Sequence, residues 1–165
     1  MTAAVLAPIA EGDAVLRMLA PADLERTLAW RNHPDSRDWF HSTGEIAPGQ
    51  HRAWFERYLE RDDDYVFILE VGGRPVAQAA LYGIADGGAE FGRLVVDPAA
   101  RGEGHSHRAI ALCLRAAREL GLARVHLEVK PGNARAIAAY KRAGFEVDGG
   151  AVGRDGSVVM RRELG

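Results

Sequence analysis

The sequence has little cysteine and no marked excess of charge of either sign. Its single cysteine, Cys113, excludes a disulfide within the chain and agrees with a reducing compartment, so we expect a cytoplasmic protein. The 21 Lys and Arg residues nearly balance the 23 Asp and Glu residues, which leaves no broad electrostatic field to attract nucleic acid or an anionic membrane. We therefore expect neither a nucleic-acid partner nor a membrane partner.

Long hydrophobic runs are also missing from the sequence. No run approaches the roughly 20 apolar residues that a membrane-spanning helix needs. Residues 1–10 are mildly apolar but lack the basic segment of a signal peptide, so we predict that they lead loosely into the first strand. The acidic run at residues 62–64 has no metal-ligand spacing, so we interpret it as a solvated turn and expect no metal.

The length and the hydrophobic patterns predict one domain over residues 1–165. A first strand at 15–19 is followed by short helical segments, and then by a meander of antiparallel strands that turns at glycine pairs. The predicted strands of the meander are 65–71, 75–84 and 89–96. After it we predict a helix at 106–120, a strand at 124–129, a helix at 134–142, and final strands at 145–147 and 157–160. Cys113 lies on the apolar stripe of the first of these two helices, so we expect it in the core.

One stretch combines the end of a strand, a glycine turn and the start of a helix. The apolar run at 94–96 breaks at Asp97-Pro98, and residues 101–107 then read Arg-Gly-Glu-Gly-His-Ser-His. Glycine lets backbone N–H groups approach a phosphate closely, and a helix N-terminus adds about half a positive charge. The stretch therefore predicts an anion-binding loop, which by itself fits many nucleotide-binding folds.

A second motif follows in the predicted helix at 134–142. It places Asn133 seven residues before Tyr140, and it closes with Gly144-Phe145. With the glycine loop and the order of elements, it resembles the GNAT superfamily of acyl-CoA-dependent N-acyltransferases over nearly the whole chain. The resemblance implies an α/β (α+β) fold with a mixed, mostly antiparallel central sheet of about seven strands, splayed at the central pair, and helices on both faces.

The resemblance also implies a donor site for acetyl-CoA, without a metal. In the family, backbone groups in the gap between the two splayed strands pair with the amide arm of CoA, and the pyrophosphate binds to N–H groups of the glycine loop. The residues implied for the arm are Leu94, Val95 and Val96, and those implied for the pyrophosphate are Arg101, Gly102, Glu103, Gly104, His105 and Ser106.

Two residues of this loop depart from the family pattern. Ser106 replaces the usual Gly or Ala; a serine is small and could cap the following helix, so we expect phosphate binding to be retained. His105 stands where an apolar residue is usual. We expect His105 and His107 at the surface, and the alternative for His105 is contact with a CoA phosphate.

The match to the family assigns roles to three further residues. Tyr140 would be the general acid that protonates the departing CoA thiolate, and the alternative is a core tyrosine with a structural hydrogen bond. Asn133 would anchor the loop or contact the pantetheine arm, unless it is only a helix cap. Glu90 would be the general base for the amine, directly or through a water, and the alternative is a charge at a strand end.

The helical segments after the first strand form one wall of the acceptor pocket in the family. Their sequence resembles a subgroup that includes sugar-nucleotide N-acetyltransferases and, less closely, ribosomal-protein N-terminal acetyltransferases and some aminoglycoside acetyltransferases. The candidate acceptor-binding residues are Trp30, Arg31, His33 and His51. Trp54 and Phe55 are interpreted as core residues of small helices, whereas for Trp39 a core position and a place in the acceptor wall both stay open.

These features together predict an acetyl-CoA-dependent N-acetyltransferase acting by direct attack of an amine on the thioester. We expect a small-molecule primary amine as acceptor, such as an amino sugar or its nucleotide, and a monomer or homodimer. Two alternatives stay open: an acetyltransferase of protein N-termini, and a non-catalytic CoA-binding sensory module.

Overall fold

Eight strands form one mixed sheet in the order β1-β2-β3-β4-β5-β6-β8-β7. The structure is a computed structural model, and it describes residues 4–165. The strands are β1 (Ile9–Glu11), β2 (Ala14–Met18), β3 (Asp64–Val71), β4 (Arg74–Ala85), β5 (Gly88–Val96), β6 (Arg124–Val129), β7 (Glu146–Val147) and β8 (Val158–Glu163). All neighbouring strands are antiparallel except β5 and β6, which are parallel.

Five α-helices accompany the sheet in the described part of the chain. They are α1 (Leu24–Asn32), α2 (Pro34–Arg37), α3 (Pro48–Leu59), α4 (His105–Glu119) and α5 (Ala134–Arg142). The first helical residue of α2 and of α3 is a proline, where its missing N–H costs nothing. Asn133 caps α5 by accepting a hydrogen bond from the backbone N–H of Ala136 at 3.3 Å. None of the helices within residues 4–165 is long and apolar enough to cross a membrane.

The helices cover both faces of the sheet. Helices α4 and α5 pack on one face, which carries the larger core cluster, including Phe67, Leu81 and Ile110. Helix α3 packs on the other face, where Phe55 and Tyr58 meet residues of β3 and β4 in a smaller cluster. We call these the α4–α5 face and the α1–α3 face. Because side chains of a strand alternate between faces, β3 and β4 contribute residues to both clusters.

The parallel pair β5–β6 separates after a short contact. The strands pair only at Gly88 with Arg124, Ala89 with Val125, and Glu90 with His126. Beyond that point β5 continues to Val96 and β6 to Val129, with no pairing between them. We call the opening between these two strand ends the strand gap. It confirms the predicted splay at the central pair.

The structure differs from the sequence prediction at both ends of the sheet. Residues Ile9–Glu11 form a strand that pairs with β2, rather than a loose lead-in, and residues 1–3 of that lead-in lie outside the described residues. This strand makes the sheet eight-stranded instead of about seven-stranded. The last strand runs to Glu163, because it pairs along the full length of β6.

Candidate active site

The strand gap is bordered by different side chains on its two faces. On β5, Ala89 and Phe91 are buried in the cluster on the α4–α5 face, so Glu90 and Gly92 point to the α1–α3 face. On β6, Val125 and Leu127 share the α4–α5 face, so His126 points to the same side as Glu90. The strand gap thus has an apolar border on the α4–α5 face and a polar border on the α1–α3 face.

Glu90 is the centre of a polar network on the α1–α3 face. Tyr82 lies opposite it on β4 and donates its hydroxyl to Oε2 of Glu90 at 2.8 Å. Arg154 also forms an ion pair with Oε2, and His126 Nε2 lies 3.8 Å from Oε1. The Glu90 side chain is only 15% exposed, whereas that of His126 is 44% exposed. The predicted base is therefore enclosed by three partners.

Arg154 links Glu90 to a second carboxylate, Glu128. Its Nε lies 2.9 Å from Oε2 of Glu128, and its backbone N–H donates to Oε1. Burial opposes ionisation of Glu128, but the hydrogen bonds from Arg154 outweigh it and hold the pKa of Glu128 below its usual value. Gly153 permits this approach, because a Cβ there would lie 2.5 Å from Oε1 of Glu128.

Tyr140 lies on the α4–α5 face of the sheet, within the core cluster. Its ring packs edge-on against Phe91 at 6.1 Å and Phe145 at 5.9 Å between centroids. Burial alone raises the pKa of Tyr140 to about 12. The described residues give its hydroxyl no hydrogen-bond partner, which removes the structural hydrogen bond offered as the alternative to catalysis.

The glycine loop leads from β5 to the N-terminus of α4. Gly102 and Gly104 both have φ of 81°, a left-handed conformation that other residues adopt at a cost. A Cβ on either glycine would meet nothing within 4 Å, so the loop is open on that side. Gly104 is the N-cap residue of α4, which corrects the idea that Ser106 could cap the helix.

His105 is buried, which corrects its predicted place at the surface. His105 is the first residue of α4 and is 7% exposed. Its Nε2 lies 3.7 Å from Oε2 of Glu103, while its Nδ1 is buried with no partner among the described residues. His107 is exposed, as predicted. The difference arises because Gly104 turns the chain so that His105 precedes the buried Ala109 by one helical spacing.

Arg101 and the segment after α1 are joined across the opening of the gap. The guanidinium of Arg101 donates to Ser36 Oγ at 2.7 Å and lies 3.3 Å from the Asp35 carboxylate, so its side chain points to α2. On the other side, Lys130 just after β6 donates to the backbone oxygen of Asp38 at 2.6 Å. The segment between α1 and α3 is therefore held to both strands that border the strand gap.

The four candidate acceptor-binding residues have different environments. Trp30 is 5% exposed, which leaves its ring no face for a ligand. His33 accepts a hydrogen bond from the backbone N–H of Asp35 at 3.2 Å and caps α2. His51 stacks on Trp54 at 5.4 Å, and burial lowers the pKa of its imidazole.

Arg31, the fourth of them, is the candidate that keeps a free polar atom. Its guanidinium lies 4.4 Å above the Phe40 ring and donates to the backbone oxygen of Ser42. Its Nη1 is buried and has no partner among the described residues. Burial lowers the pKa of Arg31. Of the four residues, Arg31 is therefore the one whose environment best suits contact with a polar ligand.

The sequence analysis missed four residues of this site. They are Tyr82, His126, Glu128 and Arg154. The alternation of β6 contained a signal for two of them, because Val125, Leu127 and Val129 are apolar and the residues between them are not. No comparable signal exists for Arg154, since it reaches Glu90 and Glu128 from a loop more than 20 residues away in sequence.

Other features of the structure lie outside the site. Cys113 is fully buried in the larger core cluster, and burial raises the pKa of its thiol, which agrees with its predicted core role. Surface grooves beside α1 and α3 are lined by residues such as Glu25 and Leu59 and include none of the residues that border the strand gap.

Comparisons with known proteins agree with this geometry. The model of a family described as the acetyltransferase (GNAT) family matches residues 24–145. An uncharacterized N-acetyltransferase of Methanocaldococcus jannaschii is 36% identical over 101 residues, which are 58% of this chain and 45% of the relative. The chain thus matches less than half of the length of that relative.

Solved structures share the fold at low identity. The chain is similar to a spermidine N-acetyltransferase from Vibrio cholerae in complex with CoA and spermine, with a TM-score of 0.83 and 19% identity over 92% of this chain and 96% of that chain. It is also similar to an aminoglycoside acetyltransferase in complex with coenzyme A and kanamycin, with a TM-score of 0.78 and 20% identity over 91% and 94% of the two chains. At these identities the likeness concerns the fold.

Proposed function

Because the chain belongs to the GNAT family of acetyltransferases, we propose that it transfers an acetyl group from acetyl-CoA to a primary amine of a small molecule. The observation that carries the proposal is the strand gap, with Tyr140 on one face of the sheet and the Glu90–His126 pair on the other. This arrangement suits a reaction in which a thiol leaves on one side and an amine arrives from the other.

The residues around the gap fit a CoA molecule. Beyond Glu90, the edge of β5 that faces β6 has backbone groups without a strand partner, and Leu94, Val95 and Val96 belong to that edge. The glycine loop and the N-terminus of α4 offer N–H groups and a positive helix end for a pyrophosphate. The backbone of Arg101, Gly102, Glu103, Gly104, His105 and Ser106 would supply these groups.

Arg101, Asn133 and His105, which the resemblance implies for the donor site, each make a contact within the protein that supports a positioning role. Since the Arg101 side chain is engaged by Ser36, we assign it the role of fixing the loop against α2 rather than contacting a phosphate. Asn133 serves as the cap of α5 and so holds the helix that carries Tyr140. The buried His105 supports the loop from the core side. Its Nδ1 has no partner among the described residues and can therefore form a hydrogen bond with a phosphate or a water.

Tyr140 is assigned as the general acid. A phenol keeps its proton at neutral pH and can give it to a thiolate at hydrogen-bond distance. The amine attacks the thioester carbon directly, so no covalent enzyme intermediate is required. On the face of the sheet opposite Tyr140, Glu90 is one of the side chains that take part in removing a proton from the acceptor ammonium.

The acceptor is a cationic amine in this proposal. Glu90 and Glu128 place two carboxylates on the α1–α3 face, and Arg154 now neutralises one of the charges. Spermine and kanamycin, the molecules bound by the two similar structures, are polycationic amines, which supports the same class here. An amino sugar also satisfies the proposal, and for an amino-sugar nucleotide Arg31 is available to pair with the anionic phosphates.

A decisive experiment measures thiol release from acetyl-CoA with spermidine, kanamycin, an amino-sugar nucleotide and a short peptide with a free N-terminus. We expect turnover with at least one small amine. Turnover with the peptide alone would favour an acetyltransferase of protein N-termini, and CoA binding without turnover would favour a non-catalytic sensory module.

The Tyr140→Phe variant tests the assignment of the acid. We expect kcat to fall by about 100-fold or more, since a positioned general acid contributes about that factor. The affinity for CoA should not change, because the hydroxyl has no partner among the described residues to lose. Tyr65→Phe is the control: it removes the hydroxyl of a buried tyrosine on β3, and kcat should not change. Normal turnover by Tyr140→Phe would refute the assignment.

A further inference from the structure

The last residue pair before the strand gap brings an imidazole next to a carboxylate. Glu90 and His126 are register partners in β5 and β6, and both point to the α1–α3 face. The ring Nε2 of His126 lies 3.8 Å from Oε1 of Glu90. No pair beyond it joins the two strands, so these two side chains stand where the gap opens.

The two residues differ in how accessible they are to an acceptor. Tyr82 and Arg154 both contact Oε2 of Glu90, which leaves Oε1 as its free oxygen, and that oxygen faces the His126 ring. The Glu90 side chain is 15% exposed, against 44% for His126. An amine that approaches from the α1–α3 face therefore meets the imidazole before it can reach the carboxylate.

We propose that His126 accepts the proton of the acceptor ammonium and that Glu90 positions the ring and balances the charge of the imidazolium. The proposal rests on the acetyltransferase function proposed above and assigns its base. Imidazole exchanges a proton near neutral pH, which suits this task. Glu90 is then a positioning residue, and its own position is fixed by Tyr82 and Arg154.

The step is balanced as follows. One N–H bond of the acceptor ammonium breaks, and its proton goes to an imidazole nitrogen of His126. The free amine attacks the acetyl carbon, the carbon–sulfur bond breaks, and the Tyr140 hydroxyl gives its proton to the departing sulfur. The new amide nitrogen loses a second proton, which replaces the one that Tyr140 gave, and the proton held by His126 passes to solvent.

Charged groups from each neighbouring element surround the ring of His126. Glu90 faces it from β5, with Tyr82 of β4 and Arg154 of the last loop behind that carboxylate. Arg161 is its register partner on β8 and pairs with Asp148 at 3.1 Å. Arg124 and Glu128 flank it on its own strand. Within this set, the carboxylate of Glu90 is the one that forms a close pair with the ring, at 3.8 Å, and so can balance the charge of the imidazolium after proton transfer.

The test compares the pH dependence of kcat/KM in three variants, with spermidine and kanamycin as probe amines. His126→Gln should lower kcat/KM by about 100-fold at pH 7, the order of a general base, and should remove its contribution to the acid limb of the profile. In His126→Ala, added imidazole should restore part of the lost rate. Arg118→Gln, which removes an exposed guanidinium near the end of α4, is the control and should keep the wild-type profile.

Defined outcomes overturn the assignment. Unchanged kcat/KM in His126→Gln overturns it. A rise in KM at constant kcat, without rescue by imidazole, also overturns it, because the ring would then only bind the amine. If the acid limb of the pH profile persists in His126→Gln but is lost in Glu90→Gln, then Glu90 is the base. Absence of turnover by the wild type with any amine of the panel would overturn the proposed function itself, whereas turnover that survives removal of the imidazole refutes this assignment alone.

Discussion

At the scale of single residues, the position of Glu90 depends on a glycine. Tyr82 reaches Glu90 because its ring crosses β5 above Gly92, where a Cβ would lie 2.5 Å from the Tyr82 hydroxyl. The guanidinium of Arg93 covers the same ring at 4.2 Å from its centroid and is itself held by Asp64 at 2.7 Å. The hydroxyl therefore has one position available, and that position is on the carboxylate.

Gly92→Ala should displace the Tyr82 hydroxyl and break its bond to Glu90. A hydrogen bond to a charged group contributes about 1.5–3 kcal/mol, so kcat/KM should fall roughly tenfold or more if Glu90 loses its position. Combining Gly92→Ala with Tyr82→Phe removes the nearest atom and leaves two ring carbons at 3.1 and 3.2 Å from the new Cβ, so the double variant should come close to Tyr82→Phe alone. Gly49→Ala, at an open position in α3, is the control and should have no effect. Wild-type kcat/KM in Gly92→Ala would contradict this account.

His105 shows where the residue-level prediction was wrong, and why. The prediction of a surface position follows from the polarity of the histidine, because the family pattern has an apolar residue at this place. The helical spacing argued otherwise: α4 begins at His105, and Ala109, Cys113 and Ala116 continue the same buried stripe. The period of the helix was a better guide to burial than the polarity of one side chain.

At the scale of elements, the strongly patterned segments were predictable and the short ones were not. The helices now seen as α4 and α5 and the strands of the meander are predicted close to their observed bounds, because each carries a clear 3.6 or 2.0 period. Strand β1 was missed, since three residues carry no period of their own and the strand depends on pairing with β2.

The candidate site was predictable only where local signals existed. The glycine loop, the α5 cap at Asn133 and Tyr140 each have a motif within a few residues. The bonds of Arg154 to Glu90 and Glu128, and those that join Arg101 and Lys130 to the segment after α1, connect distant parts of the chain. Such contacts follow from tertiary packing, which no local pattern encodes.

Asp23 joins strand β2 to helix α1, and this contact can be tested at the scale of elements. It is 1% exposed and accepts hydrogen bonds from Arg17 of β2, from Arg26 of α1 and from the backbone N–H of Ala20. Burial opposes its ionisation, but these donors outweigh it, so the pKa of Asp23 is held below its usual value. The connection from β2 to α1 therefore depends on one ionised, buried carboxylate.

Asp23→Asn should lower the free energy of unfolding by about 3 kcal/mol at pH 7, the lower end of the range for breaking a buried ion pair. A carboxyl with a depressed pKa stabilises the fold above its unfolded pKa, near 3.9, and loses that contribution as the pH falls through the folded value. The difference between wild type and variant in urea unfolding should thus shrink below about pH 4. Glu25→Gln, exposed on the same helix, should match wild type at every pH. A pH-independent difference would mean that the loss is one of packing.

At the scale of the whole molecule, the sheet separates the two halves of the proposed reaction. Helices α4 and α5 carry the glycine loop and Tyr140 to one face, while the segment between α1 and α3 closes over the other. The strand gap is the only place within the described residues where two neighbouring strands of the sheet part while both continue. Donor and acceptor can therefore meet through the sheet without either crossing the other's binding surface.

Binding of CoA should fill the strand gap and protect the strand edges that border it. Amides of β5 beyond Glu90 that point away from β4, and those on the facing edge of β6, have no partner strand and should exchange with solvent rapidly in the free protein. At a CoA concentration about 100 times its Kd, binding stabilises the closed state by about 2.7 kcal/mol, so exchange through local opening should slow by about 100-fold. Hydrogen–deuterium exchange followed by mass spectrometry or NMR measures this directly. Amides of β3, which is paired on both sides by β2 and β4, are the internal control and should change much less. If CoA binds but protects only the glycine loop and α4, the arm of the donor lies outside the gap, and the assignment of opposite faces to acid and base fails with it.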